Sequence, residues 1–344
     1  MILRGIDFGK VWGASGVQGF FGEGYRFHSK LGPLRPKFEG MTFVAKTTTL
    51  FSRPGNMPLE DDHTPEELFP SCIKVKPFKG VVLNAVGLSG PGARVLLASG
   101  HWLRRTKPFF ISFMSVAGTP EERASELKQF ADIFSAFLSN FPTFRKIVGL
   151  QINHSCPNVG LHHDGAELTG EVCKALDIAA RLEIPLVPKL NVLAPIKSAL
   201  EISRYPSCDA ICVSNTVPWG ALPELIDWEG IFGSKESPLA HLGGGGLSGK
   251  PLLPIVIDWL NIARRAGLKK PINGGGGILS RRDAGKVFAA GADSISLGSV
   301  AILRPWRVRG IIRSCSKNRS SHDRRINPGA SPARAQPDLG HSAA

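Results

Sequence analysis

Short apolar runs rich in β-branched residues alternate with longer amphipathic stretches along most of this chain. The runs are 41–46, 80–86, 109–115, 147–152, 185–190, 210–214, 271–275 and 293–297. Most are near-continuously apolar, as strands of a parallel sheet covered on both faces are. Between them, residues 120–138 carry a strong helix signal. Thr119 can cap it, Pro120 suits the first position, and Glu121 and Glu122 face the positive end of the dipole. Residues 169–182, 194–204, 252–266 and 280–290 are the other expected helices. Eight strands with intervening helices over about 260 residues fit an α/β (β/α)8 TIM barrel better than an open sheet.

Three stretches fall outside this repeat. Residues 1–40, rich in Gly and aromatics, are expected to form an N-terminal extension covering the barrel bottom, with the barrel itself spanning 41–311. Residues 216–250 form a long connection after the sixth strand, and such connections at the C-terminal face of a barrel often carry function. From 312 to 344 the composition turns to Ser, Arg, Pro and Asn, which reads as a disordered basic tail.

Composition narrows the classes. At 344 residues with 42% hydrophobic content, one barrel-sized core is affordable. Six cysteines without a CxxC pair argue for reduced thiols, and no run of about 20 apolar residues offers a membrane span. A cytoplasmic location is the expectation. The net charge of +14 suggests nucleic acid, but nine Arg/Lys against two Asp after residue 300 put half of the excess in the last 44 residues. Specific nucleic-acid recognition is not expected from that distribution.

The chemistry gathers at strand ends. The fourth strand runs into Asn153-His154-Ser155-Cys156-Pro157-Asn158, a thiol bracketed by neutral amides. Alone, a Cys-Pro pair is more often a buried turn; here it offers a proton acceptor beside groups suited to a polar ring. Lys46 and Lys189 each end a strand, where a cation faces either solvent or an anionic ligand. Gly274–Gly277 and Gly298-Ser299 follow strands seven and eight, the usual phosphate position in such barrels. Asn84, Asn153, Asn158 and Asn215 also sit at strand ends. His162-His163-Asp164 invites a metal reading, but a polar loop explains it equally well, and no metal is expected.

Taken together, these segments resemble the dihydroorotate dehydrogenase family of FMN-dependent barrels, closest to its soluble, cysteine-using subclass. The resemblance spans about 43–304 and rests on several motifs in matching order. They are Ala45-Lys46-Thr47-Thr48-Thr49, Asn84-Ala85-Val86-Gly87-Leu88, the Cys156 segment, Lys189, Asn215-Thr216, Gly246-Leu247-Ser248-Gly249-Lys250, Gly274–Gly277 and Leu297-Gly298-Ser299. It implies oxidation of dihydroorotate in pyrimidine biosynthesis, with Cys156 taking the C5 proton while hydride passes from C6 to flavin N5. Lys46, Asn84, Gly87, Leu88, Asn153, Asn158, Asn215 and Thr216 would then bind substrate. Lys46, Thr47, Asn153, Lys189, Gly246, Ser248, Gly249, Gly276, Gly277, Gly298 and Ser299 would bind FMN. The partner implied is a second copy or an electron-transfer subunit. The segment 247–252 is more similar to the quinone-using subclass, and the segment after Asn84 departs from the commonest family pattern. Competing readings are a dihydropyrimidine reductase, a tRNA-dihydrouridine-synthase-like flavin enzyme and a non-catalytic barrel.

Overall fold

The computed structural model describes residues 1–154 and 165–317. Cys156, Asn158, the run His162-His163-Asp164 and residues 318–344 lie outside the described residues.

Seven parallel strands lie side by side in the order Val11–Gly13, Ser294–Leu297, Ile272–Gly275, Ile211–Val213, Leu186–Leu190, Val148–Asn153 and Phe109–Phe113. Residues 42–48 close the ring through parallel bridges Trp12↔Thr42, Val44↔Phe110 and Thr48↔Phe113. The N–H of Gly13 donates to the Thr42 carbonyl at 2.8 Å, and that of Ala45 to the Phe110 carbonyl at 2.9 Å. The result is the expected barrel of eight, with one expected member replaced by another. Val11–Gly13, inside the stretch expected to be an extension, is the first barrel strand. The run 80–86 is not a barrel strand. Val81–Asn84 pairs antiparallel with Ile73–Lys76 and Gly246–Gly249, and Val217–Pro218 adds the fourth strand of this separate sheet. A short apolar run buried on both sides reads the same in either setting, because its composition does not encode strand direction.

Only the first ten residues plug the bottom. The hairpin Ile2–Leu3/Ile6–Asp7 places Leu3 and Phe8 against Trp12, Val44, Phe110 and Val187 inside the barrel. Phe8 stacks on Phe110 with ring centroids 4.1 Å apart. Gly149 makes room for this stack, since a Cβ there would lie 2.5 Å from the Phe110 ring. Above this apolar floor the interior turns polar. Lys189, Cys212, Asn273 and Ser294 are successive register partners across four strands. The Cys212 thiol donates to Asn273 Oδ1 at 3.3 Å, and Asn273 Nδ2 donates to Ser294 Oγ at 2.7 Å.

The helices form the outer layer. In Pro120–Asn140, Thr119 and Glu122 complete a reciprocal capping box, and Leu127, Phe130, Phe134 and Leu138 turn inward at helical spacing. Phe130 stacks on Phe113 of the barrel at 4.0 Å. Each such buried side chain contributes about 1.5–3 kcal/mol. The last helix, Val308–Lys317, runs six residues past the point where the tail was expected to begin. Val308, Ile311, Ile312 and Cys315 share one face and are buried, an apolar stripe hidden among Arg and Ser. Among the described residues, no helix is long and apolar enough to cross a membrane.

Candidate active site

A cavity opens at the C-terminal ends of the barrel strands, beneath the four-stranded sheet. It brings together Lys46, Thr47, Asn84, Gly87, Leu88, Asn153, Lys189, Asn215, Thr216, Ser248, Gly276, Gly277, Gly298 and Ser299. These come from eight separate chain segments, so only the closed barrel assembles them.

Two asparagines form the deepest polar pair. Asn153 ends the fourth barrel strand and Asn215 follows the sixth; both are buried. Asn215 Nδ2 donates to Asn153 Oδ1 at 3.0 Å, while Asn215 Oδ1 accepts the Thr216 N–H at 3.0 Å. Asn191 holds the same turn by donating from Nδ2 to the Thr216 carbonyl at 2.6 Å. Asn84 descends from the covering sheet, its Nδ2 donating to the Gly246 carbonyl at 3.2 Å. Amides fixed in this way present directed donors and acceptors to a small polar ring.

Two cations reach the same space. Lys189 is buried in the fifth strand beside Cys212. Burial pushes the Cys212 thiol up to about 11, with the neighbouring Lys189 pulling the other way. This thiol therefore stays protonated and acts as a hydrogen-bond donor within the barrel. Lys46 donates to the Ser89 carbonyl, and its ammonium lies 4.6 Å from the centroid of the Phe20 ring. Beside it, Thr47 Oγ1 lies 2.9 Å from both Ser15 Oγ and Ser112 Oγ, linking three strand ends by hydroxyls.

The glycine turns form the third element. Gly276 and Gly277 have φ of +128° and +72°. A Cβ on Gly277 would sit 2.7 Å from both the Gly249 carbonyl oxygen and the Leu253 nitrogen. Among the described residues, no hydrogen bond engages the N–H groups of Gly276, Gly277, Gly298 or Ser299. Backbone donors left open in a turn with no side chains in the way suit a phosphate group.

Not every expected residue lines the cavity. Gly246 and Gly249 lie in the covering sheet; at Gly249, φ is +111° and a Cβ would lie 2.2 Å from the Gly80 carbonyl oxygen. At Gly249 the missing side chain allows close packing of two strands. Other lining residues were missed in the sequence: Ala14, Ser15 and Gly16 after the first strand, Tyr25, Ser214 and Ser296. The run Val11-Trp12-Gly13 followed by Ala-Ser-Gly is the signal that would have exposed the first group, as a short strand leading into a tight turn. Ser214 and Ser296 carry no sequence signal.

The dihydroorotate dehydrogenase family model matches residues 13–317. Dihydroorotate dehydrogenase B (NAD(+)), catalytic subunit, of Cutibacterium acnes is 27% identical over 79% of this chain and 78% of its own length. Dihydroorotate dehydrogenase A (fumarate) of Lacticaseibacillus paracasei is 29% identical over 83% and 86%. Among solved structures, DHODH of Eimeria tenella in complex with ferulenol superposes with a TM-score of 0.64 at 18% identity, covering 93% of this chain and 84% of that one. That structure shares the fold.

Proposed function

The chain belongs to the dihydroorotate dehydrogenase family, oxidoreductases acting on a CH–CH bond in pyrimidine biosynthesis, and from this premise we propose how its own residues carry out the reaction. Dihydroorotate is oxidised to orotate by loss of a proton from C5 and a hydride from C6. We infer that FMN occupies the cavity; when bound, it supplies the acceptor for the hydride. The observation that carries this reading is the convergence of Lys46, Lys189, three asparagines and two open glycine turns on one cavity.

Each residue then has a task. The N–H groups of Gly276, Gly277, Gly298 and Ser299 would hold the cofactor phosphate. Lys189, held in a low-dielectric wall, would supply positive charge beside the bound cofactor. Lys46 pairs with the substrate carboxylate from the side of the covering sheet. Asn84, Asn153 and Asn215, with Asn158 by its place in the motif, would hold the substrate ring with C5 towards a base. Gly87, Leu88 and Thr216 complete the substrate pocket. Cys156, by its place in the motif, takes the C5 proton. A thiol must be partly ionised to serve as a base near neutral pH, so its rate contribution falls as pH falls. Orotate then leaves the site, and the two electrons would pass on to a second substrate or a partner subunit.

Anaerobic mixing of the FMN-loaded protein with dihydroorotate tests the reading. Loss of visible flavin absorbance with wild type, slowed at least about a hundredfold in Cys156→Ala, is expected. Equal rates in the two proteins would remove Cys156 from the mechanism. A protein that takes up no FMN would overturn the whole reading.

A further inference from the structure

We propose that His28 is a positioning residue that ties a strap over the cavity to the segment following the phosphate turn, and so slows FMN release. The strap is residues 19–25, of which Gly19, Glu23, Gly24 and Tyr25 line the cavity. Gly298, Ser299 and Ile302 line it as well, from the end of the last barrel strand and the helix Val300–Leu303. His28 is 6% exposed and hydrogen-bonds to both segments. Its Nδ1 accepts the Tyr25 N–H at 3.3 Å, and its Nε2 lies 3.1 Å from the Ala301 carbonyl oxygen. A carbonyl can only accept and a backbone N–H can only donate. The two partners therefore fix one neutral tautomer, with the proton on Nε2. Gly24 lets the ring approach, since a Cβ there would lie 2.9 Å from Nδ1.

The other contacts of the strap run elsewhere. Glu23 accepts the N–H groups of Phe20 and Phe21, both at 2.7 Å. Trp102 Nε1 donates to the Phe20 carbonyl at 2.7 Å, and the Lys46 N–H to the Gly19 carbonyl at 2.9 Å. Those bonds hold the first half of the strap to itself, to Trp102 and to the second barrel strand. Among the described residues, the side-chain hydrogen bond from 19–31 to 298–303 is that of His28. The inference rests on the reading that the FMN phosphate occupies the glycine turns.

The test is titration of apoprotein with FMN, followed by flavin fluorescence quenching, with release rates measured on dilution. His28→Leu removes both contacts. His28→Asn keeps an acceptor for Tyr25 but loses the reach to Ala301, whereas His28→Gln can still donate to Ala301. Leu and Asn are expected to raise the FMN Kd about five- to tenfold through faster release. Gln should stay within about twofold, and the KM for dihydroorotate should move little in any of them. Should the Leu protein fail to fold, the Asn–Gln pair still decides. Wild-type binding that is matched within about twofold by Leu and Asn would overturn the role of His28 alone. A wild-type protein that takes up no FMN would instead remove the reading beneath it.

Discussion

Gly277→Ala is the sharpest probe of the proposed phosphate turn. The residue adopts φ +72°, a region in which a Cβ costs about 1–2 kcal/mol. The new methyl would also meet the Gly249 carbonyl oxygen and the Leu253 nitrogen at 2.7 Å, and the Leu253 Cβ at 2.8 Å. Two of these three atoms are backbone and cannot rotate away, so overpacking adds about 1–3 kcal/mol. Together the loss is about 2–5 kcal/mol, read as the urea unfolding free energy of the FMN-loaded protein. Part of it will appear as weaker FMN binding if the turn relaxes by opening. Gly285→Ala is the matched control. Gly285 lies within the helix Arg281–Ala289, and a Cβ there meets nothing within 4 Å. It should gain up to about 1 kcal/mol from helix propensity. If Gly277→Ala unfolds within about 0.5 kcal/mol of wild type and binds FMN equally well, the close-approach argument fails.

Other outcomes follow from the same geometry. Lys189→Met should slow flavin reduction by dihydroorotate at least about tenfold and lower the flavin reduction potential; an unchanged potential would refute its electrostatic role. Asn215→Ala leaves the buried Asn153 Oδ1 without the Asn215 donor, so dihydroorotate binding should weaken by about 1–3 kcal/mol, measured as Kd in the oxidised enzyme. Burial lowers the pKa of His28 to about 4 from an ordinary 6.5, partly opposed by its bond to Ala301. The folded state thus prefers the neutral ring, and the stability this supplies is intact above pH about 6.5 and lost as pH falls towards 4. The gap in urea midpoint between wild type and His28→Gln should accordingly change between pH 7 and pH 5; a gap that stays constant refutes the linkage.

Seven of the eight barrel strands were legible because they are apolar runs spaced by amphipathic helices. The first was not, because Val11–Gly13 is only three residues long and is preceded by a glycine-rich hairpin. The run at Val81–Asn84 misled for the opposite reason: its hydrophobicity is real, but it is spent in a sheet that arches over the mouth. In the site, lysine and asparagine announced themselves as polar residues where strands end. Ser15 and Ser214 did not, since a serine after a strand is what any turn contains, and Ser296 lies within the last barrel strand, where one small polar residue gives no signal. The end of the last helix was hidden because four apolar residues on one face are diluted by arginines on the other.

Closing the ring sets the order in which the protein can mature. Val11–Gly13 pairs with Ser294–Leu297, so the seam of the barrel joins two parts of the chain nearly 300 residues apart. The cavity straddles that seam: a Cβ on Gly298 would lie 3.0 Å from the Ala14 Cβ, and both residues face the cavity. A nascent chain thus has no complete cavity until its last barrel strand has left the ribosome. A cofactor bound there acts as a rivet across the join, adding its binding energy to the step that commits the barrel to staying shut.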